Sequence, residues 1–200
     1  MTEHTEPASP QQVLDFWFGA PGSPEYGTRR SVWFTKSDAF DDEIRGRFGA
    51  TIEAALGGAC GAWADEQAPV AHHLALIVLL DQFTRNVFRN SARMVAGDPI
   101  ALKVAQDLVA RGADRRLAPI QRWFCYLPYE HAEDLRIQYR SLALFADLAG
   151  ESGMGDVFEW ARKHQVIIAR FGRFPHRNEL LGRPSSAAEV EFLKGPDSSF

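Results

Sequence analysis

Apolar residues recur at helical spacing along most of the chain, and no stretch alternates apolar and polar residues as a half-buried strand does. In the clearest segment, apolar side chains return every fourth residue, at Phe40, Ile44, Phe48, Ile52 and Leu56. Ser37 is a good N-cap for this segment, and Gly57 ends it. We therefore predict an all-α protein without a sheet, in which antiparallel helix pairs are joined by short loops.

Capping and breaking residues place the other helices. Ser9 followed by Pro10 predicts the start of the first helix. Asp156 is expected to cap a helix that ends at Gly172, where glycine supplies the left-handed conformation. Pro128 is expected to break or kink a helix. The remaining helices are predicted at about 69–86, 98–111, 119–127, 130–149 and 186–194.

The chain has 200 residues, a length that suits one domain. We predict a disordered N-terminal tail over residues 1–9, a single helical domain over 10–195 and a C-terminal tail over 196–200. The net charge of −4 argues against a nucleic-acid-binding protein, which needs a surplus of Lys and Arg.

Localisation is predicted from absent signals. Residues 1–9 carry no apolar signal-peptide core. The longest apolar run, Leu74–Leu80, is too short to span a membrane. Cys60 and Cys125 are isolated from each other in the sequence and form no C-x-x-C motif. We predict a cytoplasmic protein with free thiols and no membrane partner.

Polar residues interrupt the apolar pattern first at the end of the most apolar helix, residues 69–86. Asp81 and Arg85 follow the run Leu74–Leu80, and burying either of them unpaired would be unfavourable. Gln82, Arg85 and Asn86 are therefore candidate ligand-binding residues. The structural alternative is that Asp81 and Arg85 pair with each other, because they are four residues apart on one helix.

The second polar segment lies at the start of the helix predicted over 130–149. Stepping back by threes and fours from the apolar positions of this helix places Gln138, Asp134 and His131 on its inward face. Glu130 lies one turn from Asp134. We take Glu130, His131 and Asp134 as candidate catalytic residues. Alternatively, the acidic residues only stabilise the positive end of the helix dipole.

The third polar segment is basic. Between residues 162 and 183 there are six Lys or Arg and one acidic residue, which gives a local net charge of +5. Arg170, Arg173 and Arg177 are candidate ligands for a phosphate or carboxylate, since guanidinium groups bind such anions with two hydrogen bonds. The alternative is that these arginines neutralise the acidic residues of the second segment in a structural network.

Two more histidines complete the candidate catalytic set. His164 falls on the apolar face of its helix, and His176 lies within the basic segment. Imidazoles titrate near neutral pH and suit proton transfer. No metal site is assigned, and an alternative is a metal-dependent enzyme in which His131 and Asp134 share one ion with another histidine. No phosphate-binding glycine loop, dinucleotide-binding motif or nucleophile elbow indicates a cofactor or a reaction.

Four segments carry a resemblance to a known family, and they are Val13–Gly19, Leu76–Arg89, Tyr126–Asp134 and Arg170–Asn178. Through them the chain resembles the bacterial family called domain of unknown function 924, of the tetratricopeptide-like helical superfamily, over about residues 12 to 193. The sequence departs from that family at Thr84, Tyr129 and Ala132, where Pro, Phe and Ser are common. The resemblance implies a compact α-α superhelix and implies no activity.

These observations predict a helical protein with an Arg/His/carboxylate pocket that binds a small anionic molecule, either as a binding protein or as an acid–base enzyme. Two alternatives stay open. One is a protein–protein interaction module of the tetratricopeptide-like kind, and the other is the metal-dependent enzyme. The sequence does not indicate an oligomeric state.

Overall fold

The computed structural model describes residues 7–196, 198 and 199. Every regular element in this part of the chain is helical, which confirms the predicted all-α class. The α-helices are α1 (Pro10–Phe18), α2 (Asp38–Leu56), α3 (Val70–Ile77), α4 (Thr84–Val87), α5 (Asp98–Ala110), α6 (Pro119–Glu130), α7 (Leu135–Ala149), α8 (Val157–Phe171) and α9 (Ala187–Phe192). A π-helical segment, Val78–Phe83, connects α3 to α4. Most of the predicted N-terminal tail, residues 1–6, and positions 197 and 200 lie outside the described residues.

Three helix ends lie where the capping residues predict them, whereas Asp156 precedes α8 without a capping hydrogen bond from its side chain. Ser9 and Gln12 form a reciprocal capping box at the start of α1. The Ser37 side chain accepts a hydrogen bond from the Phe40 amide at the start of α2. Gly172 ends α8 with φ +71°, a backbone conformation that favours glycine.

Two compact units form, and the first comprises residues 1–89 and 93–128. Within it α3 packs on α1 and α5, and α2 packs on α4 and the π-helical segment. Aromatic side chains fill this core. The Phe83 ring lies 5.4 Å from the Trp17 ring and 5.0 Å from the Phe48 ring, and Trp17 lies 5.6 Å from Phe124. These edge-on and tilted contacts are favourable beyond the buried area.

A close backbone approach holds the π-helical segment of the first unit. A Cβ atom added to Gly97 would lie 2.3 Å from the Leu80 carbonyl oxygen. The Thr84 hydroxyl also donates to Leu80 O, at 2.8 Å. Only glycine fits at position 97, so α5 begins in direct contact with the backbone that carries Asp81.

The second unit comprises residues 90–92 and 129–200. Here α7 packs against α8. Ile167, Ile168 and Phe174 form its buried apolar cluster, with Phe171 and Phe192 packed beside them. Beyond α8 the chain therefore turns back, so that Phe174 packs against α8. This turn brings the basic segment close to the start of α7.

The junction between α6 and α7 differs from the sequence prediction. Pro128 lies inside α6, which continues to Glu130, because a proline in the last turn removes only one helical hydrogen bond. Asp134 then caps α7, so that helix begins at Leu135 rather than at Glu130. The buried stripe of α7 consists of Gln138, Ser141, Leu144, Phe145 and Leu148. Leu135 is 37 % exposed. The inward face thus contains Gln138 as predicted but excludes Leu135 and Asp134.

No helix in the described part of the chain combines the length and the apolar character that crossing a bilayer requires. Both cysteines are free and buried.

Candidate functional site

In the first unit, the candidate Arg85 is held by two carboxylates. Its guanidinium forms a bidentate pair with Asp98, with N–O distances of 2.8 and 3.0 Å, and lies 3.4 Å from an oxygen of the fully buried Asp81. Gln82 Nε2 donates to the other Asp81 oxygen at 2.6 Å. Burial lowers the pKa of Arg85, but Asp81 and Asp98 outweigh that effect and raise it. Arg85 therefore serves the junction of α5 with the π-helical segment.

Asn86, the third ligand candidate of this unit, contacts a carboxylate of α2. Its Nδ2 donates to the buried Asp41 Oδ1 at 2.7 Å, and Arg89 donates to both Asp41 oxygens. The buried Asp41 carboxylate thus accepts three hydrogen bonds, which link α2 to α4 and to Arg89 just beyond it. Asp41 and Asp98 were not singled out in the sequence, because they lie 45 and 13 residues from their partners in the chain.

In the second unit, the end of α6 and the middle of α8 bring together Glu130 and His164. Glu130 Oε1 lies 3.1 Å from His164 Nδ1, and both side chains are at least 95 % buried. The same nitrogen lies 2.9 Å from Trp160 O, one turn earlier in α8. Because Nδ1 faces two oxygen acceptors, it carries the ring proton. Burial, and then His131, hold the pKa of His164 well below its usual value, so this imidazole is neutral at neutral pH.

Arg177 and two more histidines lie around this pair. The His131 ring lies 6.0 Å from the His164 ring. Arg177 donates from Nη1 to His131 O at 3.1 Å, and its guanidinium lies 4.5 Å from the centre of the Phe174 ring. Burial, and then the charge of Arg177, lower the pKa of His176 to about 4. Glu130, His131, His164, His176 and Arg177 thus form one group, which we call the histidine cluster.

Two other arginines of the basic segment are paired with carboxylates. Arg173 forms a bidentate pair with Glu189, at 2.7 and 2.9 Å. Arg183 forms one with Glu133, at 2.6 and 3.0 Å, and Glu133 also accepts the Phe174 amide at 2.7 Å. Burial raises the pKa of Glu133, but the hydrogen bonds from Arg183 and from the Phe174 amide outweigh that effect, so the pKa lies below its usual value. These pairs neutralise much of the local positive charge.

The remaining candidates lie outside the histidine cluster. Asp134 is exposed, and its Oδ1 accepts the amides of Arg136 and Ile137 at 2.7 and 3.2 Å, which is a capping role. The Arg170 guanidinium lies 4.7 Å from the centre of the Phe171 ring. Of the eleven residues singled out in the sequence, the second unit therefore brings five together.

Gln138 determines the shape of the backbone at this place. Its fully buried Nε2 donates to Glu130 O at 2.7 Å, to Ala132 O at 2.8 Å and to Tyr129 O at 3.4 Å. Tyr129 and Glu130 are the last residues of α6 and Ala132 lies in the turn that follows, so these carbonyls stand where a helix end leaves acceptors to be satisfied from outside the helix. Gln138 thereby fixes the turn that presents Glu130 and His131.

Glu130, His131 and His164 have the donor atoms of a metal site. One potential ligand atom from each residue lies within 4.8 Å of the other two. Within the described part of the chain, no other set of three His, Cys, Asp or Glu side chains has its ligand atoms this close together. The carboxylate of this group comes from Glu130 rather than from Asp134, the residue that the helical spacing had suggested.

Comparisons with known proteins identify the family of the chain and a similar solved structure. The fold and the cluster define an all-helical protein with a histidine-rich site in its second unit. The sequence model of a family described as bacterial protein of unknown function (DUF924) matches residues 13–197. The chain belongs to this family. No curated protein matches it.

A solved structure supports the same assignment. The chain is similar to the protein of unknown function ATU0120 from Agrobacterium tumefaciens, with 36 % identity and a TM-score of 0.80. The match covers 93 % of this chain and 97 % of that protein. The resemblance noted in the sequence is therefore confirmed. The tetratricopeptide-like superhelix stays a prediction.

Proposed function

We propose that the histidine cluster binds a small anionic molecule and performs acid–base chemistry on it. The supporting observation is the buried contact of 3.1 Å between Glu130 Oε1 and His164 Nδ1. A carboxylate that accepts the Nδ1 proton of a neutral imidazole orients the ring and stabilises the imidazolium formed when the ring takes a proton at Nε2.

Charge favours an anion at this place. Arg177 is close enough to lower the pKa of both His164 and His176, so its positive potential acts on the cluster. A phosphate or carboxylate beside these groups offsets that potential, and guanidinium and imidazole N–H groups are suitable donors to it. His131 and His176 are only partly buried, so a solute can reach the cluster from their side.

Ion pairs with carboxylates limit which of the predicted arginines can bind the anion. Arg85, Arg170 and Arg173 were predicted to bind the anion together with Arg177, but Arg85 and Arg173 are in bidentate pairs with carboxylates and Arg170 lies outside the histidine cluster. Arg177 is the arginine of the original set that belongs to the cluster. The proposed anion site therefore depends on Arg177 rather than on Arg173.

A binding screen tests the proposal. Full-length protein would be heated with inorganic phosphate, phosphomonoesters, and di- and tricarboxylates, once in the presence of a chelator and once with added Zn²⁺. A ligand at about 100 times its dissociation constant adds about 2.7 kcal/mol, which raises the melting temperature by several degrees. We expect Arg177→Gln and His131→Gln to weaken the binding of a responding anion at least tenfold.

The control is His72→Gln, a histidine substitution on α3 in the first unit, which should leave anion affinity unchanged. An anion panel without any response would contradict the proposal, as would equal affinity in all variants. A panel without response would instead favour the protein-interaction alternative, which requires no small-molecule ligand.

A further inference from the structure

We propose that Glu130, His131 and His164 bind one divalent transition-metal ion of the zinc type, and that this ion is part of the anion site. The role of the ion in the anion site rests on the proposed function, whereas metal binding itself does not. The sequence motifs did not assign this ligand set, since its third member is Glu130 at the end of α6 rather than Asp134.

The spacing of the three side chains fits a small ion. Ligand atoms at about 2.0–2.2 Å from zinc in tetrahedral geometry are about 3.4 Å apart. The corresponding atoms of Glu130, His131 and His164 already lie within 4.8 Å of one another. Small side-chain rotations therefore complete the coordination, without a change in the backbone that Gln138 holds.

The chemistry of the donors selects the class of metal. Two imidazoles and one carboxylate are ligands that zinc and its first-row neighbours prefer, whereas calcium and magnesium take mostly oxygen ligands. Glu130 Oε1 and His164 Nδ1 lie 3.1 Å apart, which is as close as two ligands of one such ion lie, and the ion would take the place of the Nδ1 proton.

The charge balance connects the metal to the anion. A divalent ion with one carboxylate and two neutral imidazoles leaves a net charge of +1 at the centre. Three protein ligands also leave a coordination position open. An anionic molecule at that position would neutralise the centre, and Arg177, which donates to the carbonyl of the proposed ligand His131, would be a second group to hold it.

Metal binding is tested on untagged, full-length protein freed of metal with a chelator and then dialysed. Titration with Zn²⁺ by calorimetry should give one site per chain. Titration with Co²⁺ should give the visible absorption bands of a tetrahedral or five-coordinate ion. We expect Glu130→Gln and His131→Gln to weaken Zn²⁺ binding by about tenfold or more. His72→Gln should bind Zn²⁺ as the wild type does.

The outcomes separate the two proposals. Wild-type protein that binds neither Zn²⁺ nor Co²⁺ overturns the metal inference, and anion binding measured with chelator present still decides the proposed function. Metal binding that survives in both variants also overturns it. Metal binding that requires both residues, together with an anion panel that fails with and without metal, supports the metal site but overturns the proposed function and the place of the ion in an anion site. If Glu130→Gln is unfolded by circular dichroism, the partly exposed His131→Gln decides the result.

Discussion

Replacing Gln138 with methionine tests how the chain shapes its histidine cluster. Methionine keeps the length and approximate volume of glutamine but has no N–H group, so the change removes the three hydrogen bonds to the end of α6. The two short bonds, at 2.7 and 2.8 Å, satisfy the carbonyls of Glu130 and Ala132. The third, at 3.4 Å to Tyr129 O, is weak.

The expected loss follows from what each group would then lack. A buried carbonyl left without a donor costs about 1–3 kcal/mol. Glu130 O is buried, whereas Ala132 is only partly buried and regains water, so the two together cost about 2–4 kcal/mol. Gln138 Oε1 accepts no hydrogen bond from the described residues, and its removal returns about 1 kcal/mol. The net loss in the free energy of unfolding is therefore about 1–3 kcal/mol.

Urea unfolding measured by circular dichroism gives this quantity directly. A loss of about 2 kcal/mol also lowers the melting temperature of a protein of this size by about 4–8 °C. Tyr139→Met on the next position of α7 is the control, because Tyr139 is 57 % exposed and its replacement should change stability by less than about 0.5 kcal/mol. Equal unfolding midpoints for the two variants would refute the reasoning, since the carbonyls would then not depend on Gln138.

Other substitutions test the remaining contacts. Gly97→Ala places a methyl carbon 2.3 Å from a backbone oxygen of the π-helical segment and should lower stability by about 2 kcal/mol or more, and an unchanged urea midpoint would contradict the close approach. A double-mutant cycle with Glu133→Gln and Arg183→Gln should give a coupling energy of about 1 kcal/mol, because both side chains are about one quarter exposed. A coupling energy of zero would show that this ion pair does not contribute to stability. The pKa of His176 falls from 6.5 to about 4 on folding, so its stabilisation is complete above pH 6.5 and is lost as the pH falls towards 4. Over that range the wild type should lose about 1–2 kcal/mol more than His176→Gln, and parallel stability–pH curves would contradict this assignment. Glu130→Gln should leave the melting temperature unchanged or raise it by a few degrees, because a neutral amide is less costly to bury than a carboxylate and still accepts the His164 N–H, and a large decrease would mean that the carboxylate is needed for folding.

Local chemistry made much of the fold predictable. Ser9, Ser37 and Gly172 act at helix ends through bonds to neighbours three or four residues away, and such bonds can be inferred from spacing. Pro128 was misjudged because a proline near the end of a helix costs little. The first turn of α7 was misplaced because Asp134 satisfies its amides from outside the helix.

The candidate site was less predictable because its contacts are distant in the chain. Asp134 and Glu130 looked equivalent in the sequence, yet one is an exposed cap and the other is buried beside His164, 34 residues later. Arg173 is suited to an anionic ligand by its chemistry, but the fold places Glu189 against it. Charge patterns reveal that partners are needed, but only the packing of α8 on α7 decides which residues they are.

The position of Glu130 bears on the chemistry proposed for the histidine cluster. The C-terminal end of a helix carries partial negative charge, so a carboxylate there is disfavoured, and burial disfavours it again. A neutral Gln in its place would still accept the His164 N–H without either penalty. A carboxylate at such a place can bind a cation, or it can stabilise an imidazolium during proton transfer. Both require His164 beside Glu130, and the metal titration with Glu130→Gln distinguishes them, because only the first predicts loss of Zn²⁺ affinity.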